Sequence, residues 1–237
     1  MTTSYDDQFS AADLSAPSGT IVQLFTTPVA RVTHPYADQF NDLLADLVIT
    51  RTEVVNNKFT YKSETSPDMT EWGEPIIDKL TNWVLKMARQ FVESAIGKDL
   101  NEAFSEGNFN RIESAKGRRV VSLAVGNSWA SVYRKGNQHD AHFHPNTALA
   151  AIYYVKAPDV CELDLIDPRQ NIGYFDPGIT FAGEDHNVRL HCKPGELVIF
   201  PGWLKHSVPD FQEESERISI SWNLGYAVSY LEEKLDG

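Results

Sequence analysis

LAAIYYVKAPDVCELDLI, residues 149–166, holds two short runs of aliphatic, aromatic and β-branched side chains, Leu149–Val155 and Cys161–Ile166, parted by Pro158-Asp159. Each run has the length of a strand, and the Pro-Asp pair between them is a turn signal. The texture extends both ways. Val120–Val125 and Trp129–Tyr133 precede it, and Val188–Cys192, Glu196–Phe200 and Ile218–Leu224 follow, all separated by Gly, Pro, Asn and Asp. Short strands at this spacing predict a sandwich or barrel. No long helical pattern interrupts them, which excludes a doubly wound α/β fold.

Upstream the period changes. Phe40, Leu43, Leu44 and Leu47 recur at helical spacing, predicting a helix over about 38–48. A second helix is predicted over 75–96, with Pro75 in its first turn, Ile76, Leu80, Trp83, Met87 and Phe91 as its buried stripe, and Gly97 at its end. Residues 50–73 read as polar loop, Ile21–Phe25 as a short strand, and residues 1–19 as a loose polar arm. The fold class expected is therefore mainly β with N-terminal helices. A single domain divides into an arm (1–19), a helical and extended part packing on the core (20–117) and a β core (118–237).

The chain has 237 residues, 42% hydrophobic, which suffices for a real core, and a formal net charge of −12, which argues against a nucleic-acid partner. The N-terminus has no basic start and no apolar run, and no stretch approaches the roughly 18 apolar residues that span a membrane. A cytoplasmic protein with no membrane partner is expected. Cys161 and Cys192 are read as two buried reduced thiols rather than as a disulfide scaffold.

The seven histidines are unevenly placed. QHDAHFHPNT (138–147) holds His139, Asp140, His142 and His144. On an extended chain i and i+2 point the same way, so His142 and His144 can reach one ion. His206 lies in a loop after the turn Pro194-Gly195 and the strand Leu197–Phe200, and antiparallel pairing can bring it beside them. Imidazoles with open positions suit Fe(II), Zn or Cu. His34, His186 and His191 read as ordinary polar side chains. Arg217 opens RISISWNL (217–224), and an arginine at the start of a core strand needs an anion, which its planar fork grips in two places. A surface pair with Glu213, Glu214 or Glu216 is the alternative. In Tyr153-Tyr154 one ring must face each side of the sheet, so one hydroxyl can join Arg217. A metal site with a buried Arg and Tyr suits a dicarboxylate co-substrate, a small diacid held by the ion at one end and by the cation at the other.

These segments resemble the 2-oxoglutarate/Fe(II)-dependent oxygenases, especially a group of small bacterial and phage proteins. The likeness rests on LFTTPV (24–29), HFHPNTALAAIYYVKAP (142–158), IDPR (166–169), KPGELVIFPGWLKHSVP (193–209) and ERISISWNL (216–224), and covers roughly residues 120–226 well. It is also similar to the prolyl hydroxylases, in which a His-x-Asp pair precedes a Tyr-Tyr strand. The resemblance implies a double-stranded β-helix (jelly-roll) core. It implies Fe(II) on His142 and His206, and 2-oxoglutarate with its far carboxylate on Arg217 and Tyr154, supported by Ser219. It further implies an enzyme that uses O2 to hydroxylate a peptidyl residue or small metabolite, releasing succinate and CO2. His144 stands where the family has Asp, so the third ligand is His144 or, alternatively, Asp140. A weaker likeness is to the cupins, through GNQHDAHFH (136–144) and GELVIFPGWLKH (195–206), although the Glu expected after His144 is missing. It shares the fold and ligands and implies a metal-dependent dioxygenase or isomerase without 2-oxoglutarate. A non-catalytic metal-binding sandwich is the third reading.

Overall fold

The computed structural model describes residues 26–54, 63–65, 68–107, 118–169 and 187–231. The expected arm, the strand expected at Ile21–Phe25 and His186 lie outside these residues. In chain order the strands are β1 (Ala30–Thr33), β2 (Thr52–Val54), β3 (Ser63–Thr65), β4 (Arg118–Tyr133), β5 (His139–His142), β6 (Leu149–Lys156), β7 (Glu162–Ile166), β8 (Asn187–His191), β9 (Glu196–Pro201), β10 (His206–Val208) and β11 (Arg217–Leu231). The helices are α1 (Asn41–Arg51), α2 (Pro75–Ile96) and α3 (Leu100–Gly107).

The strands form two antiparallel sheets, ordered β1-β9-β6-β11-β4-β3-β2 and β5-β10-β7-β8. This is the jelly-roll arrangement expected. Three strands that precede residue 118 belong to the larger sheet, so the N-terminal part is woven into the core as well as packed on it. The runs Val120–Val125 and Trp129–Tyr133, read separately in the sequence, are one continuous strand. β4 pairs with β11 from Tyr133↔Arg217 to Arg118↔Leu231, with one shift at Asn223/Leu224 where Gly126 is skipped.

Alternation along each strand separates two cores. One side chain set of the larger sheet (Val132, Ala151, Tyr153, Ile199, Ile218, Ile220, Trp222) meets the helices, including Leu44, Val48, Leu80, Val84 and Ala88. The other set (Tyr133, Ile152, Tyr154, Val198, Phe200) meets Leu163, Leu165 and Val208 of the smaller sheet. All these side chains are buried, and area removed from water on both faces is what holds the layers together.

α2 has the expected bounds, with Pro75 in its first turn and Gly97 in the left-handed region at φ 71 beyond its end. Its buried line is rotated by one residue from the expected stripe. Ile77, Leu80, Thr81, Val84, Ala88 and Val92 face the sheet, and Ile76, Trp83, Met87 and Phe91 flank it. The smaller side chains let helix and sheet approach, and the larger ones seal the edges. α1 is shifted likewise: Leu44, Ala45 and Val48 are buried, whereas Leu43 is 64% exposed. Asn41 sets this rotation, donating from Nδ2 to the Val155 carbonyl (3.1 Å) and accepting from the Tyr153 hydroxyl (2.8 Å). The polar stretch 50–73 contains β2, β3 and a short 3-10 turn at Met69–Trp72. Cys161 and Cys192 are both buried free thiols.

Candidate active site

His206 opens a strand rather than lying in a loop. β10 is inserted between β5 and β7, with His206 opposite His142 on one side and Leu165 on the other. That insertion joins segments more than 60 residues apart. The backbone N–H of His144 donates to the Gly202 carbonyl (2.9 Å), tying the turn after β5 to the turn before β10. Gly202 is required there, because a Cβ would fall 2.3 Å from the Thr147 carbonyl oxygen.

His142, His144 and His206 thus converge, each offering one nitrogen, all within 4.8 Å of one another. His206 is buried, and the other two are half-buried. Asp140 is exposed and is not among this group. Two backbone carbonyls orient the rings. His142 Nδ1 lies 2.8 Å from the Asp140 carbonyl, and His206 Nδ1 lies 3.0 Å from the Leu204 carbonyl. A carbonyl only accepts, so each Nδ1 carries the proton and each Nε2 keeps a lone pair for a cation. His144 Nε2 is 3.3 Å from His206 Nε2, a contact in which one ring donates to the other until an ion replaces the proton. His139 stacks on His142 with ring centres 3.9 Å apart, and Phe200 meets the His206 ring edge-on at 4.8 Å. The donor set, three imidazoles with nothing bulkier between them, fits a first-row metal ion such as Fe(II).

The other end of the same cavity is cationic. Arg217 is 1% exposed, which overturns the surface-pair alternative. Glu216 pairs instead with Arg134 at 2.7 Å, and Glu214 with Lys135. The Arg217 guanidinium carbon lies 4.6 Å from the ring centre of Tyr133 and 5.3 Å from that of Tyr154, and Nη2 makes a long 3.4 Å bond to the Tyr154 hydroxyl. Its Nε and Nη1 are buried and donate no hydrogen bond. Burial opposes its charge, yet an arginine keeps its proton. Its neighbours supply no anion either. Burial holds the Tyr154 phenol well above its usual 10, raises the Cys161 thiol, and pushes the Cys192 thiol up to about 12, so all three stay neutral near pH 7. A desolvated cation with two orphaned donors calls for an anion from outside the chain.

Of the paired tyrosines, Tyr154 faces this cavity and Tyr153 faces the helices. Ser219 sits between Tyr154 and Ser131 in the ladder, on the side of Arg217. Sequence reading missed Tyr133, Trp129 and His139, which also line the cavity. Tyr133 lay in a recognised strand, but only the register reveals that it stands opposite Arg217. The void itself is about 30 Å3.

Residues 127–223 match a family described as "Putative 2OG-Fe(II) oxygenase". Among curated protein sequences none matches this chain. Solved structures that it resembles include a prolyl-4-hydroxylase of Pseudomonas putida, at 15% identity and TM-score 0.51, covering 83% of this chain and 92% of the other. The epimerase SnoN of nogalamycin biosynthesis, described as non-heme and alpha-ketoglutarate-dependent, aligns at 11% identity and TM-score 0.54 over 89% and 83%. HygX from Streptomyces hygroscopicus, solved with nickel, 2-oxoglutarate and hygromycin B, aligns at 10% and 0.51 over 84% and 83%. At these identities the structural likeness establishes the shared fold.

Proposed function

From the match of residues 127–223 to the 2OG-Fe(II) oxygenase family, we propose that this chain is a hydroxylase acting on a peptidyl residue or a small metabolite. The balance is R–H + O2 + 2-oxoglutarate → R–OH + succinate + CO2. Held by His142, His144 and His206, Fe(II) would supply the redox chemistry of that balance, with one oxygen atom going to the C–H bond and the other to succinate.

The rest is the work of this chain's own side chains. The carbonyls of Asp140 and Leu204 keep two imidazoles in the ligating tautomer. Arg217 takes the far carboxylate of the co-substrate, and the neutral Tyr154 hydroxyl, held protonated by burial, donates beside it, with Ser219 in reach as a second hydroxyl. Ile152 and Leu163 line the cavity and keep bulk water from it. Three neutral imidazoles leave both charges of a divalent ion uncancelled, where a carboxylate ligand would cancel one. The dianionic co-substrate therefore meets a more positive site, which favours its binding.

The single observation that carries the reading is the orphaned guanidinium of Arg217 in one cavity with three convergent imidazoles. The test is anaerobic titration of the protein with Fe(II) and then 2-oxoglutarate. A weak visible charge-transfer band should develop at one equivalent, and in air succinate should form as O2 is consumed. Iron binding without the band, and without succinate, would favour the cupin-like alternative.

A further inference from the structure

The cavity face of the larger sheet is laid out in ranks. By alternation β4 contributes Tyr133, Ser131, Trp129 and Asn127, and β11 contributes Arg217, Ser219, Ser221 and Asn223 in register with them. β6 adds Tyr154 beside Ser219, Ile152 beside Ser221 and Ala150 beside Asn223. Along β4 exposure grows from rank to rank, while the β6 residues stay buried (Tyr154 0%, Ile152 9%, Ala150 2%). Arg217 and Tyr133 are buried at 1% and 2%, and Ser131 and Ser219 at 3% each. Trp129 and Ser221 are half-buried, and Asn127 is exposed. The ranks therefore measure depth. His144 stands at the third, its ring centre 5.8 Å from that of Trp129.

The co-substrate occupies the deep side, between the histidines and Arg217. A primary substrate must then approach from the fourth rank, and there the structure holds an anomaly. Asn223 Oδ1 is buried and accepts no hydrogen bond. A buried acceptor left unpaired destabilises a fold, and nothing in the strand ladder requires an amide at this place. The β-bulge falls here too, because the pairing skips Gly126 between Asn223 and Leu224. Bulges beside active sites re-aim side chains. No residue of the third and fourth ranks is charged: Trp129, Ser221, Ile152, Asn127, Asn223 and Ala150.

We propose that Asn223 is a specificity-determining residue whose Oδ1 accepts a hydrogen bond from an N–H or O–H next to the carbon being hydroxylated. Trp129 forms the flat wall against which that neutral portion of the substrate lies. The substrate class is thus an uncharged, donor-bearing one, a peptide amide or a hydroxylated small molecule. The inference rests on the oxygenase reading, because that reading places the co-substrate on the Arg217 side and leaves the Asn223 side to the substrate.

Two measurements on the full chain test it. In thermal melting without ligands, Asn223→Leu should raise Tm by roughly 2–4 °C, since it removes an orphaned acceptor. An unchanged or lower Tm would mean that the amide serves the fold, and the proposal would be lost. In the second, the protein is loaded with Co(II) and 2-oxoglutarate, and the methyl proton resonances of N-methylacetamide and N,N-dimethylacetamide are followed for broadening by the ion. One neutral hydrogen bond predicts roughly threefold to tenfold stronger association of the N–H probe, with the difference gone in Asn223→Leu. Equal broadening within the amide pair, and equally within the hydroxyl pair of cyclohexanol and its methyl ether, in the unmodified protein would overturn the proposal. Cyclohexanol and its methyl ether give the parallel comparison for a hydroxyl donor, and whichever pair is better discriminated identifies the source. Failure of the oxygenase reading has its own signal: 2-oxoglutarate would leave the Co(II) visible spectrum unchanged before any probe is added.

Discussion

Arg217 stands directly opposite Tyr133 across the β4–β11 ladder, and its guanidinium carbon lies 4.6 Å from the Tyr133 ring centre. The ring face is a weak substitute for a carboxylate. It leaves Nε and Nη1 of the desolvated cation without a hydrogen-bond partner.

Truncation of that cation, Arg217→Ala, should raise the 2-oxoglutarate requirement by roughly tenfold to a hundredfold, because a charge-assisted contact is worth on the order of 1.5–3 kcal/mol and each decade is about 1.4. Metal affinity should not change, as Arg217 is not in the histidine group. The apolar replacement Arg217→Met should raise the Tm of the ligand-free protein, since exchanging a buried uncompensated charge for a packed side chain is neutral or stabilising. Isothermal titration and thermal melting read the two effects. Unaltered 2-oxoglutarate affinity in Arg217→Ala would remove the clamp from the mechanism.

The adjacent tyrosines should separate cleanly. Tyr153→Phe deletes the 2.8 Å bond to Asn41 on the helix side and should cost about 1 kcal/mol, or roughly 2–4 °C in Tm, with 2-oxoglutarate affinity intact. Tyr154→Phe should do the reverse, weakening 2-oxoglutarate severalfold with little change in melting. Matching losses of affinity in both variants would contradict the assignment of faces.

Among the histidines, His206→Ala should abolish stoichiometric Fe(II) binding, since His206 is buried between two strands and its Nε2 lies 3.3 Å from that of His144. His144→Asp should keep it, because a carboxylate at that position restores the pattern of two histidines and one acid. Equilibrium dialysis with Fe(II) under nitrogen measures both. Retention of one equivalent by His206→Ala would displace the ion from this group.

A pH effect arises away from the site. His34 packs edge-on against Phe40 at 4.7 Å and Trp83 at 4.4 Å, its Nδ1 accepts from the Tyr36 N–H, and burial lowers its pKa below 6.5. A depressed histidine folds best neutral. Its contribution is complete above the unfolded value near 6.5 and is lost as pH falls through the lower folded value. Chemical denaturation from pH 7.5 to 5 should show stability falling on the acid side. The fall should be shallower in His34→Gln, and identical slopes would assign it to other groups.

The legible parts of this molecule were those governed by local rules. Pro75, Gly97 and the period between them bound α2 to the residue, and the turn at Pro194-Gly195 is present, with Gly195 in the left-handed region at φ 77. The strand runs at 149–155 and 196–200 reappear as β6 and β9. Chemistry-bearing residues announced themselves by type, since histidines at i and i+2 and an arginine opening an apolar strand demand partners. Features that depend on register were not legible. β5 and β10 are only four and three residues long and exist because they pair with each other. The faces of α1 and α2 were set by Asn41 and by the small side chains that the sheet admits. Trp129 and Asn223 gain meaning only once the ladder fixes their depth.

The ladder from Tyr133↔Arg217 to Arg118↔Leu231 joins chain segments that are remote in sequence, and His144 meets His206 across 62 residues. Contacts of such long range must overcome loop-closure entropy before any of them contributes stability, so they form late and slowly. A growing chain offers no three-imidazole site until His206 has emerged, and no cationic clamp until β11 closes on β4. Closure of β11 on β4 is thus the step that completes the site, because it brings Arg217 to the cavity that the three histidines already share.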